Sequence, residues 1–248
     1  MKILVCISHV PDTTSKINFT NNNTEFDSNG ITYVINPYDE FGLTRAMIIK
    51  EKSGATVTVI NVGPSSTEPT LRKALAIGAD NAVRINAEPS DANYVARLLA
   101  NYAKNENFDL IITGRESIDY NGGTVPGMLA TYLDIPFVNA CLGLELNGNQ
   151  ATVIREIDGG KETLQGNLPM LLAGQKGLVE EKDLRIPAMR GIMMARKKPL
   201  TVIEAGDAKK QTSVLKFDLP EAKAACTMIE ADNVDQLVQL LHSEAKVI

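Results

Sequence analysis

Residues 153–173 read VIREIDGGKETLQGNLPMLLA, and the way this stretch folds decides the class of the whole chain. Val153, Ile154 and Ile157 are β-branched and suit a pleated strand. Asp158-Gly159-Gly160 supplies the residues tolerant of positive φ that a two-residue hairpin turn demands. The chain therefore reverses there. Lys161 to Leu168 returns alongside, and Pro169, which has no N–H to give to a ladder, separates the returning strand from the apolar run Met170 to Ala173. Strands joined by tight turns at this point mean an antiparallel addition to whatever precedes them.

What precedes them alternates. Lys2 to Ser8 is a short apolar run of the kind buried on both faces in a parallel sheet. His9 to Asn29 is polar, with Pro11-Asp12-Thr13-Thr14 and Asn21-Asn22-Asn23 as turn formers and an extended piece expected around Lys16 to Phe19. Ile31 to Ile35 is extended again, and Asn36-Pro37-Tyr38-Asp39-Glu40 starts a helix with acids in its first turn. Leu43, Ala46 and Met47 give that helix one apolar face, and Gly54 stops it. Ala55 to Val62 reads as a strand, Thr67 to Ile77 as a helix closed by Gly78, and Asn81 to Asn86 as a strand. Ser90 is expected to cap a helix in which Val95, Leu98, Leu99 and Tyr102 recur at helical spacing. Asp109 to Gly114 is an apolar strand, followed by a helix marked by Val125, Met128, Leu129 and Tyr132. Strand and helix in alternation to about Asp134 predict an α/β fold, a Rossmann-like parallel sheet covered by helices on both faces.

Beyond Gly174 the pattern weakens. Lys176 to Leu184 is charged, Ile186-Pro187-Ala188-Met189 is an apolar loop, Gly191 to Ala195 suits a short helix, and Leu200 to Ile203 an edge strand. Ala205 to Ala225 reads as an arm, after which Asp232 opens a last helix with Val234, Leu237, Val238 and Leu241 on one face. Such a helix must dock, on its own domain or on a partner, and the residues leave both open. The expected division is an α/β domain over 1–204, which the resemblance drawn below makes nucleotide-binding, and an arm over 205–248.

Composition narrows the function. With 44% hydrophobic and 22% charged residues the chain has an ordinary globular make-up, and its net charge of -5 and scarce aromatics argue against nucleic-acid binding. No apolar run approaches the ~18 residues of a membrane span. The amino terminus is short and soon polar, unlike a signal peptide, so a cytoplasmic location is expected. Cys6, Cys141 and Cys226 are far apart and odd in number, indicating neither disulfides nor a zinc site, and read as small buried hydrophobes. His9 and His242 stand at no metal-ligand spacing and read as ordinary surface residues.

One segment suits a ligand. Gly114 to Gly127 joins a buried strand to a helix through a glycine-rich turn, and helix amino termini after parallel strands offer unpaired N–H groups to phosphates. There is no Walker A sequence and no G-x-G-x-x-G, which removes the main support for kinase or dehydrogenase readings.

The order Val153, Arg155, Asp158-Gly159-Gly160, Glu162, Leu164, Pro169 and Leu171-Leu172-Ala173 resembles the signature segment of the electron transfer flavoprotein β subunits, and the likeness covers most of residues 1–204. The resemblance implies an electron carrier that pairs with an α subunit. Its FAD, shared with the α subunit, would take electrons from dehydrogenases such as acyl-CoA dehydrogenases and pass them to a quinone reductase, with no substrate turnover by the chain itself. It also implies a buried adenine nucleotide, usually AMP, held by Cys6, Asn36, Pro37, Tyr38, Asp39, Val62, Asp119, Gly123, Thr124, Val125, Pro126 and Gly127. Common members have an Asn-Gln pair where this chain has Gly123-Thr124, so side-chain contacts to ribose or phosphate would be lost. In bifurcating members a second FAD replaces AMP, and that alternative stays open. Asp12, Thr13 and Tyr38 match positions that border the flavin, and Met189 matches the apolar anchor by which the family engages partner dehydrogenases. A rival reading is a stand-alone nucleotide-binding protein of the universal-stress type, which explains the alternating elements but gives no purpose to residues 153–173 or to the arm.

Overall fold

The alternation of buried strands and amphipathic helices is realised in the computed structural model, which describes residues 1–223 and 225–248. In chain order the elements are β1 (Lys2–Cys6), β2 (His9–Pro11), β3 (Phe19–Thr20), β4 (Glu25–Phe26), β5 (Tyr33–Ile35), α1 (Pro37–Ser53), β6 (Thr56–Val62), α2 (Glu68–Ile77), β7 (Asn81–Asn86), α3 (Ala92–Ala103), β8 (Leu110–Gly114) and α4 (Val125–Leu133). There follow β9 (Phe137–Asn147), β10 (Gln150–Ile157), β11 (Gly160–Asn167), β12 (Met170–Gly174), α5 (Met189–Ala195), β13 (Leu200–Glu204) and α6 (Val234–Leu240).

A nine-stranded sheet runs in the order β11-β10-β9-β12-β8-β1-β6-β7-β13. Pairings from β9 across to β13 are parallel, and β10 and β11 add to the β9 end as the antiparallel hairpin legible in residues 153–173. The turn closes as expected, with Ile157 opposite Gly160 and Gly159 at φ 83. Arg155 and Glu162 fall in register across the hairpin, 2.6 Å apart, so two polar members of the motif form one cross-strand ion pair.

Alternate side chains divide the core. Ile3 and Val5 face Leu43, Met47, Leu71 and Leu75 of α1 and α2, whereas Leu4 and Cys6 face Leu98, Leu99 and Leu129 of α3 and α4. Each such Leu or Ile, removed from water, contributes about 1.5–3 kcal/mol. This partition follows from the winding. From β1 the chain steps to β6 and β7 with α1 and α2 on one face, then crosses the other face through α3 to reach β8 on the far flank of β1. The reversal leaves a crevice at the carboxyl ends of β1 and β8, where ligands of open α/β sheets sit.

Several local expectations are corrected. The cap of α3 is Asp91, not Ser90, since the Asp91 carboxylate accepts the Tyr94 amide at 2.9 Å. The last helix is capped by Asn233 rather than Asp232, and its apolar residues Val234, Leu237 and Val238 are exposed. Pairing after β1 occurs at His9–Pro11 with β5, and at Phe19–Thr20 with β4, instead of over Lys16 to Phe19. Asn21, Asn22 and Asn23, all at positive φ, close the second of these ribbons and so confine its strands to the residues beside them. His9 is half-buried, stacked on Tyr33 with centroids 4.2 Å apart and its Nδ1 2.7 Å from Thr70 Oγ1. Cys226 is exposed, unlike Cys6 and Cys141. Among the described residues no helix is long and apolar enough to cross a membrane.

Candidate functional site

The floor of the crevice is a knot of hydrogen bonds made by the first turn of α1. Asn36 is fully buried, and instead of capping its own helix it donates through Nδ2 to Glu116 O (2.9 Å) and accepts the Ile118 amide at Oδ1 (3.2 Å). Its own amide donates to Ser8 O at 3.0 Å. Asp39, also buried, accepts the Ser8 amide at Oδ2 and the Gly114 amide at Oδ1, both at 2.7 Å. The ends of β1 and β8 and the loop after β8 are thus tied to one helix start. Gly114 must be glycine here, because a Cβ would lie 2.5 Å from Asp39 Oδ1 and 2.7 Å from Tyr38 Cβ.

Burial raises the Asp39 carboxyl to about 7 against the lowering effect of its two amide donors. Burial, then the nearby Asp39 charge, also pushes the Cys6 thiol well up, so Cys6 is no thiolate nucleophile at neutral pH. Cys6 and Val62 belong to the core on the α3 and α4 side, and Val125 packs against the same cluster.

Above this floor lies the loop into α4. Gly122 and Gly123 are exposed, Gly123 adopts φ 59, and a Cβ there would meet nothing closer than Arg115 O at 3.6 Å. Among the described residues, the amides of Gly123, Thr124, Val125 and Gly127 donate to no protein acceptor, and Pro126 has no N–H to give. Asp119 is exposed and accepts the following Tyr120 amide at 3.0 Å. The guanidinium of Arg115 lies 6.0 Å from the Tyr38 ring centroid and donates to Gln175 Oε1 at 2.9 Å, and Gln175 in turn donates to Glu156 of the hairpin.

Of the residues singled out from sequence, Cys6, Asn36, Pro37, Tyr38, Asp39, Val62, Asp119 and Gly123 to Gly127 all gather at the carboxyl ends of β1, β6 and β8. Asp12 and Thr13 do not. Asp12 pairs its amide with Thr32 O at the far end of the β2–β5 ribbon, roughly 13 Å of strand away from Asn36. Its carboxylate is held below the usual range by the Thr14 hydroxyl and amide. Met189 lies elsewhere, 75% exposed at the start of α5, which packs on α2. There Gly191 abuts Ala76 O, and Arg72 donates to Ala195 O and Lys198 O at 2.8 Å. Sequence reasoning missed Ser8, Gln175 and Arg84. Arg84 is buried on β7, bonded to Glu68, Asn86 and Gly63 O, and a lone Arg in an apolar strand is its only signal.

Comparison with known proteins settles what scaffold this is. Residues 24–208 match the electron transfer flavoprotein domain family. The chain is 37% identical to the electron transfer flavoprotein subunit beta of Bacillus subtilis over 262 aligned positions, covering all of both chains. The chain belongs to the electron transfer flavoprotein β-subunit family. Its counterparts in Syntrophomonas wolfei and Bos taurus are 35% and 32% identical, each spanning 93% of this chain and 90% and 93% of the relative. Membership makes it an electron-transfer subunit, and the stand-alone universal-stress reading finds no support among these relatives.

The residues present fit the phosphate of the adenylate expected from the sequence resemblance. Four backbone amides without protein acceptors meet at a helix start, on a turn whose glycines leave space for a phosphate to approach. The fit rests on backbone and asks nothing of the Thr124 side chain.

Proposed function

We propose that this subunit holds one AMP in the crevice at the carboxyl ends of β1 and β8 and lends one wall to an FAD held mainly by an α subunit. The unpaired amides of Gly123, Thr124, Val125 and Gly127 carry this reading, since such a cluster selects an anion without any cationic side chain. Cys6 and Val62 supply apolar wall, and Asn36 and Asp39 keep the strand ends at fixed separation. FAD, when bound, supplies one- and two-electron chemistry. Tyr38, with Arg115 beneath it, and the Asp12-Thr13 turn set dipoles and charge at the flavin edge. No acid–base pair or activated nucleophile is needed, so the chain turns over no substrate of its own.

Electrons arrive from dehydrogenases of the acyl-CoA type, which engage the exposed Met189, and leave to a quinone reductase. Residues 1–204 form the nucleotide-holding unit, and residues 205–248 reach the α subunit. The test is to denature purified heterodimer and count what it releases. One FAD and one AMP per heterodimer agree with this reading, whereas two FAD and no AMP overturn it in favour of a bifurcating flavoprotein.

A further inference from the structure

The arm beyond β13 divides in two. Its first part lies on the body of the chain. Ala205 and Ala208 pack against the core on the α3 side, and the amides of Gln211 and Thr212 donate to Asp91 Oδ2 at 2.6 and 2.5 Å, joined by the Thr212 hydroxyl at 3.1 Å. Phe217 then stacks on Phe19, with centroids 4.7 Å apart and planes 3° apart, while its amide donates to Asn23 O at 2.7 Å. From Asp218 onward, among the described residues, hydrogen bonds are local only, such as Asn233 with Gln236 and Val247 with Leu241.

Asp91 thus works with both oxygens. Oδ1 caps α3 through the Tyr94 amide, and Oδ2 takes three donors from the arm. Its burial opposes the charge, but the bonds from Tyr94, Gln211 and Thr212 outweigh that and hold the carboxyl at about 2, so it stays ionised throughout the neutral range. A carboxylate accepting several N–H groups is among the stronger hydrogen-bonded arrangements.

We propose that Asp91, with the Phe217–Phe19 stack beyond it, forms a latch that fixes where the arm leaves the body, so that residues 219–248 are presented to the α subunit from a set position beside the Phe19–Phe26 ribbon. The inference rests on the reading that the arm reaches the α subunit. It assigns residues 205–217 to this chain's own surface and only the remainder to the partner. Releasing the strap would roughly double the free tether before α6, and effective concentration falls with about the −3/2 power of tether length, a loss of about 2–3-fold before any loss of direction.

Asp91→Asn separates the two duties. The carboxamide keeps one oxygen for the Tyr94 amide, and Asn caps helices as well as Asp does. Its NH2 group then faces two arm N–H groups. The experiment compares full-length wild type, Asp91→Asn, Asp91→Asn/Phe217→Ala, Thr212→Val and a truncation after Asp218, each titrated with the α subunit of the same organism, with amide hydrogen exchange of Gln211 and Thr212 in the free chain. The latch predicts exchange at least ~10-fold faster in Asp91→Asn, a smaller rise in Thr212→Val, and α-subunit affinity lowered about threefold in the Asp91→Asn/Phe217→Ala double variant, where the stack on Phe19 no longer holds the arm downstream of Asp91. Unchanged exchange in Asp91→Asn overturns the latch. Faster exchange with unchanged affinity in the double variant, while the truncation weakens binding, overturns its role in presenting the arm and leaves the arm reading intact. A truncation that binds the α subunit as tightly as wild type overturns the arm reading and the latch's part in partner binding together.

Discussion

Replacing Asp39 by Asn tests whether the knot under the crevice holds a proton. In the folded chain Asp39 keeps its proton up to about pH 7, whereas unfolded it would release it near 3.9. Between those values the folded state binds one more proton, so the stability linked to this group is fully present below about pH 4 and is lost as pH rises through about 7. Each pH unit is worth about 1.4 kcal/mol, a total swing on the order of 4 kcal/mol. The carboxamide of the Asp39→Asn variant cannot titrate. It still accepts one of the Ser8 and Gly114 amides but turns an NH2 toward the other, a cost of about 1–3 kcal/mol. The variant should therefore be less stable than wild type at pH 4 and equal or exceed it by pH 8. Urea unfolding of both proteins at half-unit pH intervals, with AMP at fixed excess, reads this crossing directly. A stability gap that stays constant or widens with pH would mean the carboxylate is ionised throughout, with its two amide donors outweighing burial, and would refute the reasoning.

Gly114→Ala forces a methyl group into Asp39 and Tyr38 and should destabilise the fold by about 1–3 kcal/mol while loosening adenylate retention; Gly123→Ala meets no such neighbour and should cost only the ~1 kcal/mol of its left-handed backbone. Unfolding and AMP retention measured on both give the contrast. Arg84→Met leaves the Gly63 carbonyl and the Glu68 carboxylate without their buried donor, and a loss of about 2–3 kcal/mol is expected in urea unfolding. Met189→Ala should leave stability within about 0.5 kcal/mol, because the side chain is exposed, yet slow flavin reduction by an acyl-CoA dehydrogenase about 10-fold or more in stopped flow.

The order of strands and helices was legible because burial imposes period. Leu4 and Cys6 against Ile3 and Val5, or Val95 with Leu98 and Leu99, announce their faces without any long-range knowledge. The hairpin was legible because Asp-Gly is among the few pairs that two-residue hairpin turns favour. What sequence could not reveal are bonds between distant residues. Asn36 looks like an ordinary helix cap, yet its side chain is spent on residues 116 and 118. Ser90 and Asp91 are equally good caps by type, and the arm's grip on Asp91 joins residues 120 positions apart. The ribbon at His9–Pro11 was hidden because three residues with a proline carry no periodic signal. The site residues were named through the signature's likeness to a family, and of these Asn36 and Asp39 turn their side chains on backbone groups of residues 8, 114, 116 and 118.

The tie between residues 36–39 and residues 8 and 114–118 also bears on how the chain is made. A ribosome delivers the first helix long before the strand that completes the knot, and until the latter emerges Asn36 and Asp39 have only water and Ser8 to hold. Nascent chains stalled before residue 114 should therefore offer no nucleotide a home, and any helper that shields them must act on an open half-sheet whose polar groups still await their distant neighbours.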